Sequence, residues 1–297
     1  MTSSAAYTGR PVGIEIFYFM DRWMDDQAAS FHKAAECGYD GVEISLMPHV
    51  LDDFSRIQTE SAKLGLSVLC STGLTPETDI SDPDPAIRRS GIEYLKRCLD
   101  TASTLKSPIL GGVTYAPWFA FPDDDLEARR QRSAESLREV AVAADAVGVV
   151  VCMEILNRFE TFMLNTVSQA QAFLGLIDHP SVQIELDTFH MNVEEPDLAD
   201  AILQAGPRLG HFQCAASNRA MPGKGHINWD EVAAALDAAV YEGWVVVETF
   251  PNPEVETGRS THAFRPLVDD LMAEAEQAAA FVRRQLGGNW SIRFESS

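Results

Sequence analysis

Four oxygen-bearing side chains, Glu154, Asp187, Gln213 and Glu248, close four short apolar runs at 149–154, 182–187, 209–213 and 244–248. A strand that is apolar on both faces is buried, so an acidic group ending it sits at the mouth of a sheet rather than in open solvent. Carboxylates that converge repel one another unless a cation lies between them. A single strand-end carboxylate reads equally well as a helix cap or a loop hydrogen bond. Four such ends in successive strands predict a metal site. Three carboxylates and one amide oxygen suit a hard divalent ion, Mn²⁺ or Mg²⁺, with Co²⁺ admissible. The three negative charges exceed those of the ion, which suits a neutral substrate better than an anionic one.

These ends need a scaffold. Eight β-branched runs (12–17, 41–46, 67–72, 109–114, 149–154, 182–187, 209–213 and 244–249) alternate with amphipathic, Ala-rich stretches. The stretches lie near 25–37, 53–64, 85–105, 126–147, 168–176, 197–204, 229–239 and 264–285. Gly38, Gly65, Gly148 and Gly243 precede strands, where a helix C-terminus favours a left-handed residue. Such alternation predicts a parallel sheet, and eight units predict a closed (β/α)8 TIM barrel. A doubly wound open sheet is the alternative. It asks for a glycine-rich turn after the first strand, and Gly13-Ile-Glu-Ile-Phe-Tyr-Phe19 offers none. With no linker-like segment, one barrel domain spans 1–297, with 1–10 a loose start and 287–297 a C-terminal tail. The longer loops (47–52, 73–84, 115–125, 156–166, 215–228 and 250–263) follow strands, on the face where barrel enzymes build their sites. Phe17, Tyr18, Phe19, Trp23, Tyr115, Trp118, Phe119 and Phe121 gather there. Those rings either wall a pocket and stack on sugar faces or simply pack the loops.

Composition narrows the function. The 297 residues are 46% apolar and 23% charged, without an apolar run long enough to cross a bilayer or a charged-then-apolar leader. A net charge of −21 repels phosphate backbones and anionic membranes, which argues against nucleic-acid and membrane partners. Five cysteines, odd in number and without CxxC spacing, read as buried free thiols in a reducing cytoplasm.

Three further residues follow the expected ligands: Glu160 after Glu154, His190 after Asp187 and Arg219 after Gln213. Each is able to hydrogen-bond a sugar hydroxyl or carbonyl. The segments Met153-Glu-Ile-Leu-Asn-Arg-Phe-Glu160, Leu186-Asp-Thr-Phe-His-Met-Asn-Val-Glu-Glu195, Gly210-His-Phe with Ser217-Asn-Arg219, and Val247-Glu-Thr-Phe250 carry a resemblance. Together they resemble the D-tagatose/D-psicose (allulose) 3-epimerase family of xylose-isomerase-like TIM barrels. The likeness extends to Val42-Glu-Ile-Ser-Leu46 and Leu64-Gly-Leu-Ser-Val-Leu-Cys70, and so through nearly the whole chain.

The resemblance implies a divalent-metal-dependent keto-sugar epimerase or isomerase of carbohydrate metabolism. Glu154 and Glu248 would be both ligands and the acid/base pair, on opposite faces of the substrate, with Asp187 a ligand only. His190, Arg219 and Glu160 would hold sugar oxygens. Proton removal beside the carbonyl would give a metal-stabilised enediolate. Reprotonation from the other face would invert the carbon, and reprotonation of its neighbour would isomerise the sugar. Three positions depart from the epimerase pattern. His211-Phe-Gln213 stands where the epimerases have His-x-His, as in hydroxypyruvate isomerase-like relatives that bind metal through glutamine. Ala216 replaces an acidic residue, and Ser71 stands where a pocket cysteine is expected; Ser71 and Trp118 complete the expected substrate-binding set.

These departures keep alternatives open. A catalytic subunit of a C-glycoside deglycosidase or 3-keto-glycoside lyase would use the same metal and base to expel an aglycone, with a small second subunit. Hydroxypyruvate isomerisation is open through Gln213, although Phe- and Trp-rich loops suggest a larger substrate. A sugar-binding barrel without chemistry would not need two opposed glutamates. An apurinic endonuclease reading fails on charge and on too few well-placed histidines. Relatives of the fold commonly pair, so a homo-oligomer is expected.

Overall fold

The computed structural model describes residues 9–47 and 54–288. Expectations for the first residues, the 47–52 loop, the start of the second helix and most of the tail therefore lie outside the described residues. Eight parallel strands close on one another in chain order. They are β1 (Val12–Glu15), β2 (Gly41–Ser45), β3 (Ser67–Leu74), β4 (Ile109–Pro117), β5 (Val150–Glu154), β6 (Val182–Asp187), β7 (Leu209–Cys214) and β8 (Val245–Val247). The barrel closes where Ile14 of β1 pairs with Val247 of β8. The helices are α1 (Phe31–Glu36), α2 (Ser55–Leu64), α3 (Pro85–Thr104), α4 (Leu126–Val147), α5 (Val167–Ile177), α6 (Thr188–Glu194), α7 (Leu198–Ala205), α8 (Trp229–Ala238), α9 (Glu256–Ser260) and α10 (Leu271–Leu286). This is the expected (β/α)8 TIM-barrel architecture. Among the described residues no helix is long and apolar enough to cross a membrane, and all five cysteines are buried and free.

Local chemistry sets the boundaries. Asp84, Asp125, Asp197 and Asp270 cap helix N-termini by accepting backbone N–H groups, and Thr166 forms a reciprocal capping box with Gln169. Gly65 and Gly148 end α2 and α4 in the left-handed region. Gly243 does something else. The preceding helix has already closed at Ala238, and a Cβ on Gly243 would stand 2.5 Å from the Tyr241 hydroxyl. The glycine there admits a ring, not a turn. Three further expectations are corrected. Residues 16–19 leave β1 as a 3-10 turn, the 25–37 stretch divides into a 3-10 turn (Gln27–Ser30) and α1, and the last helix begins at Leu271.

Alternation along the strands divides the barrel interior into layers. The floor is apolar: Leu69, Ile109, Cys152 and Val246 cluster with Val150 and Trp244. Trp244 fits because β2 offers Gly41, where any Cβ would lie 2.8 Å from the indole. Two residues beyond this floor β5 and β8 carry Glu154 and Glu248, while β1, β2, β6 and β7 bring Glu15, Glu43, Glu185 and His211 into the interior. Two residues beyond Glu185 and His211 lie Asp187 and Gln213.

Candidate metal centre

Each expected ligand reaches the rim on its own strand. Glu154 is the last residue of β5, Asp187 the last of β6 and Gln213 the penultimate residue of β7. Glu248 follows β8 and keeps its register through an N–H bond to the Cys214 carbonyl (3.2 Å). All four are buried or nearly so. Glu154, Gln213 and Glu248 line one cavity of about 630 Å³ together with Glu160, His190, Arg219, Ser71 and Trp118. Asp187 stands behind Arg219, which it binds.

The loops lock these groups in place. The Asp187 carboxylate caps α6, accepting the Phe189 N–H at 2.8 Å, which puts His190 one turn into the helix. His190 Nδ1 accepts the Asn157 N–H at 3.2 Å, so its Nε2 proton faces Glu154 Oε1 at 3.4 Å. Glu160 accepts from Asn157 Nδ2 (3.0 Å) and from the Trp118 indole (3.1 Å), tying the loops after β4 and β5 together. Tyr115 donates its hydroxyl to the Glu154 carbonyl at 2.9 Å. Arg219 holds a left-handed backbone, φ +66°, that only glycine adopts freely. Its guanidinium lies 4.8 Å from the Phe189 ring and 5.6 Å from that of Phe250. One Nη binds Asp187 and the other binds Glu248 Oε2 at 2.7 Å.

The electrostatics show a rim short of positive charge. Burial raises the Glu248 carboxyl well above the usual carboxylate range. Arg219 opposes that, while the charges of Glu154 and Asp187 add to it. Burial acts on Asp187 in the same sense, but Arg219 and His190 beside it, with the Phe189 amide, hold it below its ordinary value. Burial would lower His190, and the carboxylates of Glu160 and Glu154 outweigh it, so the imidazole is raised. The Gln213 amide is the sharpest indicator. Its oxygen faces only carboxylate oxygens; turned over, its nitrogen would donate to Glu248 Oε2 at 3.0 Å and to Glu185 Oε1 at 3.3 Å. Acceptor against acceptor is relieved either by turning the amide over or by a cation between the oxygens. The residues present therefore fit a hard divalent ion. Donor atoms of Glu154, Asp187 and His190 also lie within 4.8 Å of one another, so His190 borders the same point.

The layer beneath was missed from the sequence. His211 Nε2 and Glu43 Oε2 pair at 2.8 Å, Glu185 accepts the Gly112 N–H at 2.8 Å, and Glu43 Oε1 lies 3.5 Å from the Gln213 amide nitrogen. Burial raises Glu185, with the charges of Glu154 and Glu43 adding, against the Gly112 N–H. Burial likewise raises Glu15, helped by Glu43 and Glu154 and opposed by the Phe17 amide. A signal existed: a charged residue two positions before a strand-end ligand shares its inward face. Of the loop aromatics, Phe17, Trp23 and Trp118 line the cavity, while Tyr18 and Tyr115 are packed in the core.

A family described as xylose isomerase-like TIM barrels matches the chain over residues 31–278. The D-psicose 3-epimerase of Ruminiclostridium cellulolyticum is 35% identical over 281 residues, 90% of this chain and 94% of that protein. The chain belongs to this family. Within it, the ketose 3-epimerase of Arthrobacter globiformis is 34% identical, over 86% of this chain and 90% of its own length. The crystal structure of D-psicose 3-epimerase with D-tagatose from Clostridium cellulolyticum H10 superposes with a TM-score of 0.89 at 33% identity. It covers 94% of this chain and 100% of that one.

Proposed function

We propose that this family member is a divalent-metal-dependent keto-sugar epimerase in which Glu154 and Glu248 move the proton. The observation that carries the reading is their placement. They close β5 and follow β8, the two ends of an arc of four consecutive strands, and both line the cavity, with Asp187 and Gln213 on the strands between. A binding site alone has no use for two opposed bases.

Glu154, Asp187, Gln213 and Glu248 would hold the ion, with Mn²⁺ or Mg²⁺ favoured over Co²⁺ by a donor set made only of oxygen. When bound, the ion polarises the substrate carbonyl and offsets charge that develops on its oxygen. The protein does the rest. One glutamate takes the proton from the carbon beside the carbonyl, and the other, across the cavity, returns a proton to the opposite face. Arg219 and the His190 Nε2–H stand ready to donate to sugar oxygens, while Glu160, fixed by Trp118 and Asn157, accepts from a hydroxyl. Trp23, Trp118, Phe189 and Phe250 exclude water around the reacting carbon.

The similar proteins are epimerases, which weighs for inversion over expulsion of an aglycone. Exposed Met24, Phe159 and Phe264 at the cavity mouth would suit a covering second copy, in keeping with the expected homo-oligomer. Five buried thiols fit a reducing cytoplasm. The test is to incubate Mn²⁺-loaded protein with free ketoses in D₂O. Deuterium should enter the carbon beside the carbonyl as the epimer forms. Absence of both exchange and epimer across the ketoses refutes the proposal.

A further inference from the structure

Apart from Ser71 on β3 and the Trp118 indole after β4, every polar group assigned so far to the sugar comes from the β5–β8 side of the cavity. The opposite wall is mostly apolar, built from Phe17, Trp23, Met47, Gly73, Val113 and Trp118. Its polar side chains come from β1, β2 and β3 and, in the loop after β8, from Glu256, Thr261, His262 and Arg265; of those on the strands, three are already engaged. Ser45 Oγ accepts the Met47 N–H at 3.1 Å, Ser71 Oγ donates to the Ile44 carbonyl at 3.4 Å, and Thr72 Oγ1 pairs with the Tyr94 hydroxyl at 2.7 Å. Glu15 differs. It lines the cavity at the end of β1, is only 3% exposed, and its Oε1 is buried without a hydrogen-bond partner among the described residues.

An unpaired carboxyl oxygen in such a place is a cost to stability. Its position suggests what it awaits. Ile14 pairs with Val247, so Glu15 and Glu248 stand side by side at neighbouring strand ends. On its other side Glu15 pairs in register with Glu43. A sugar between Glu154 and Glu248 therefore lies within reach of Glu15, on a wall whose other strand-borne polar groups are engaged. An apolar side chain here would complete the wall, whereas a carboxyl rewards a hydroxyl donor.

We propose that Glu15 is a substrate-contacting specificity residue, accepting a hydrogen bond from a hydroxyl of a polyhydroxy keto-sugar remote from the reacting carbon. This rests on the keto-sugar reading above. It makes the enzyme selective for sugars carrying that hydroxyl over deoxy or shorter ones, because a site built to bond a hydroxyl rejects the analogue lacking it.

The experiment pairs substitutions with substrate deletions. Mn²⁺-loaded wild type, Glu15→Gln and Glu15→Leu are assayed with D-fructose, D-tagatose and D-psicose and with ketohexoses lacking the 4-, 5- or 6-hydroxyl. Turnover (kcat and KM separately) and binding (quenching of tryptophan fluorescence, Trp23 and Trp118 lining the cavity) are both measured. For the wild type, removal of one particular hydroxyl should weaken binding and kcat/KM by about 10- to 100-fold. In Glu15→Leu that same deletion should cost less than about threefold, while Glu15→Gln, which still offers an oxygen, should resemble the wild type. Equal losses on every sugar would mark Glu15 as structural and overturn the proposal, as would failure of any ketose to bind. The comparison of wild type with Glu15→Gln survives should the leucine variant not fold. Binding with the expected coupling but no turnover of any ketose would sustain Glu15 and sink the epimerase reading instead.

Discussion

Substituting Gln213 tests the cation most directly. Its side chain is almost wholly buried, 3.5 Å from Glu43 Oε1 and against Glu248 and Glu185. Gln213→Glu would add a carboxyl to that group. Two unit charges about 4 Å apart at an effective dielectric of about 20 repel by roughly 4 kcal/mol. In the metal-free protein the new carboxyl therefore stays protonated. Holding an ordinary glutamic acid protonated at pH 7 costs about 3.7 kcal/mol, which caps the destabilisation. At about 2 °C per kcal/mol for a chain of this size, Tm with chelator should fall by up to roughly 7 °C. An ion between the carboxylates removes that repulsion and gains an anionic ligand, so Mn²⁺ should raise Tm further in this variant than in wild type. Gln213→Ala adds no charge and should weaken Mn²⁺ binding by at least about 10- to 100-fold. Thermal unfolding in EDTA and across a Mn²⁺ titration separates the two. Equal Tm losses with and without Mn²⁺ in the glutamate variant, or undiminished Mn²⁺ affinity in the alanine variant, would show that no ion is held between these side chains.

Glu154→Gln and Glu248→Gln should each lower turnover by about 10²- to 10⁴-fold in a protein that still folds, measured by ketose epimerisation and solvent exchange; full activity in either refutes the two-base mechanism. In the metal-free protein Glu15, Glu185 and Glu248 are raised above the ordinary value of 4.5. Groups raised on folding stabilise below their unfolded value and lose that contribution as pH climbs through the folded one. Metal-free stability should therefore fall from about pH 4.5 toward neutrality, and Mn²⁺ binding should release protons, read by calorimetry in buffers of different ionisation enthalpy. Gly112→Ala should destabilise the barrel by at least about 1–3 kcal/mol in urea unfolding. Its φ is +93° and its Cβ would meet the Thr72 carbonyl oxygen at 2.2 Å.

Legibility in the sequence followed physical locality. Strand–helix alternation gives the barrel because each unit is specified by its own residues: α4 begins and ends where Asp125 and Gly148 cap it. The strand-end groups were readable for the same reason, since a charge ending an apolar run needs no tertiary knowledge. Helix α10 was misread at its start because residues 264–270, though partly apolar, do not pack as a helix turn, and Asp270 supplies the N-terminal cap instead. The interior layer was harder. Glu185 and His211 each sit inside an apolar run, where a charge looks like an exception until the closed barrel shows several strands bringing theirs to one level. That Glu15 has an unpartnered oxygen depends on what three other strands place around it, and no local pattern carries that.

The two polar layers solve the same repulsion by different means, and the difference locates the chemistry. In the lower layer hydrogen bonds do most of this, His211 pairing with Glu43 and Gly112 donating to Glu185, with Glu15 Oε1 left over. In the upper layer Arg219 supplies one positive charge to two carboxylates, Asp187 and Glu248, and does not reach Glu154. Among the described residues the group that Glu154 meets within ion-pair distance is the His190 imidazole, at 3.4 Å. The shortage of positive charge is therefore greatest on the β5 side, opposite Arg219. A divalent ion that makes up the shortfall leaves Arg219 as a second cationic group across the cavity. A neutral sugar with adjacent carbonyl and hydroxyl oxygens can be held from both sides, whereas the surrounding carboxylates would repel an acid. On the proposed two-base reading, an ion held by Glu154 and Glu248 would favour the carboxylate form that each needs before it takes a proton.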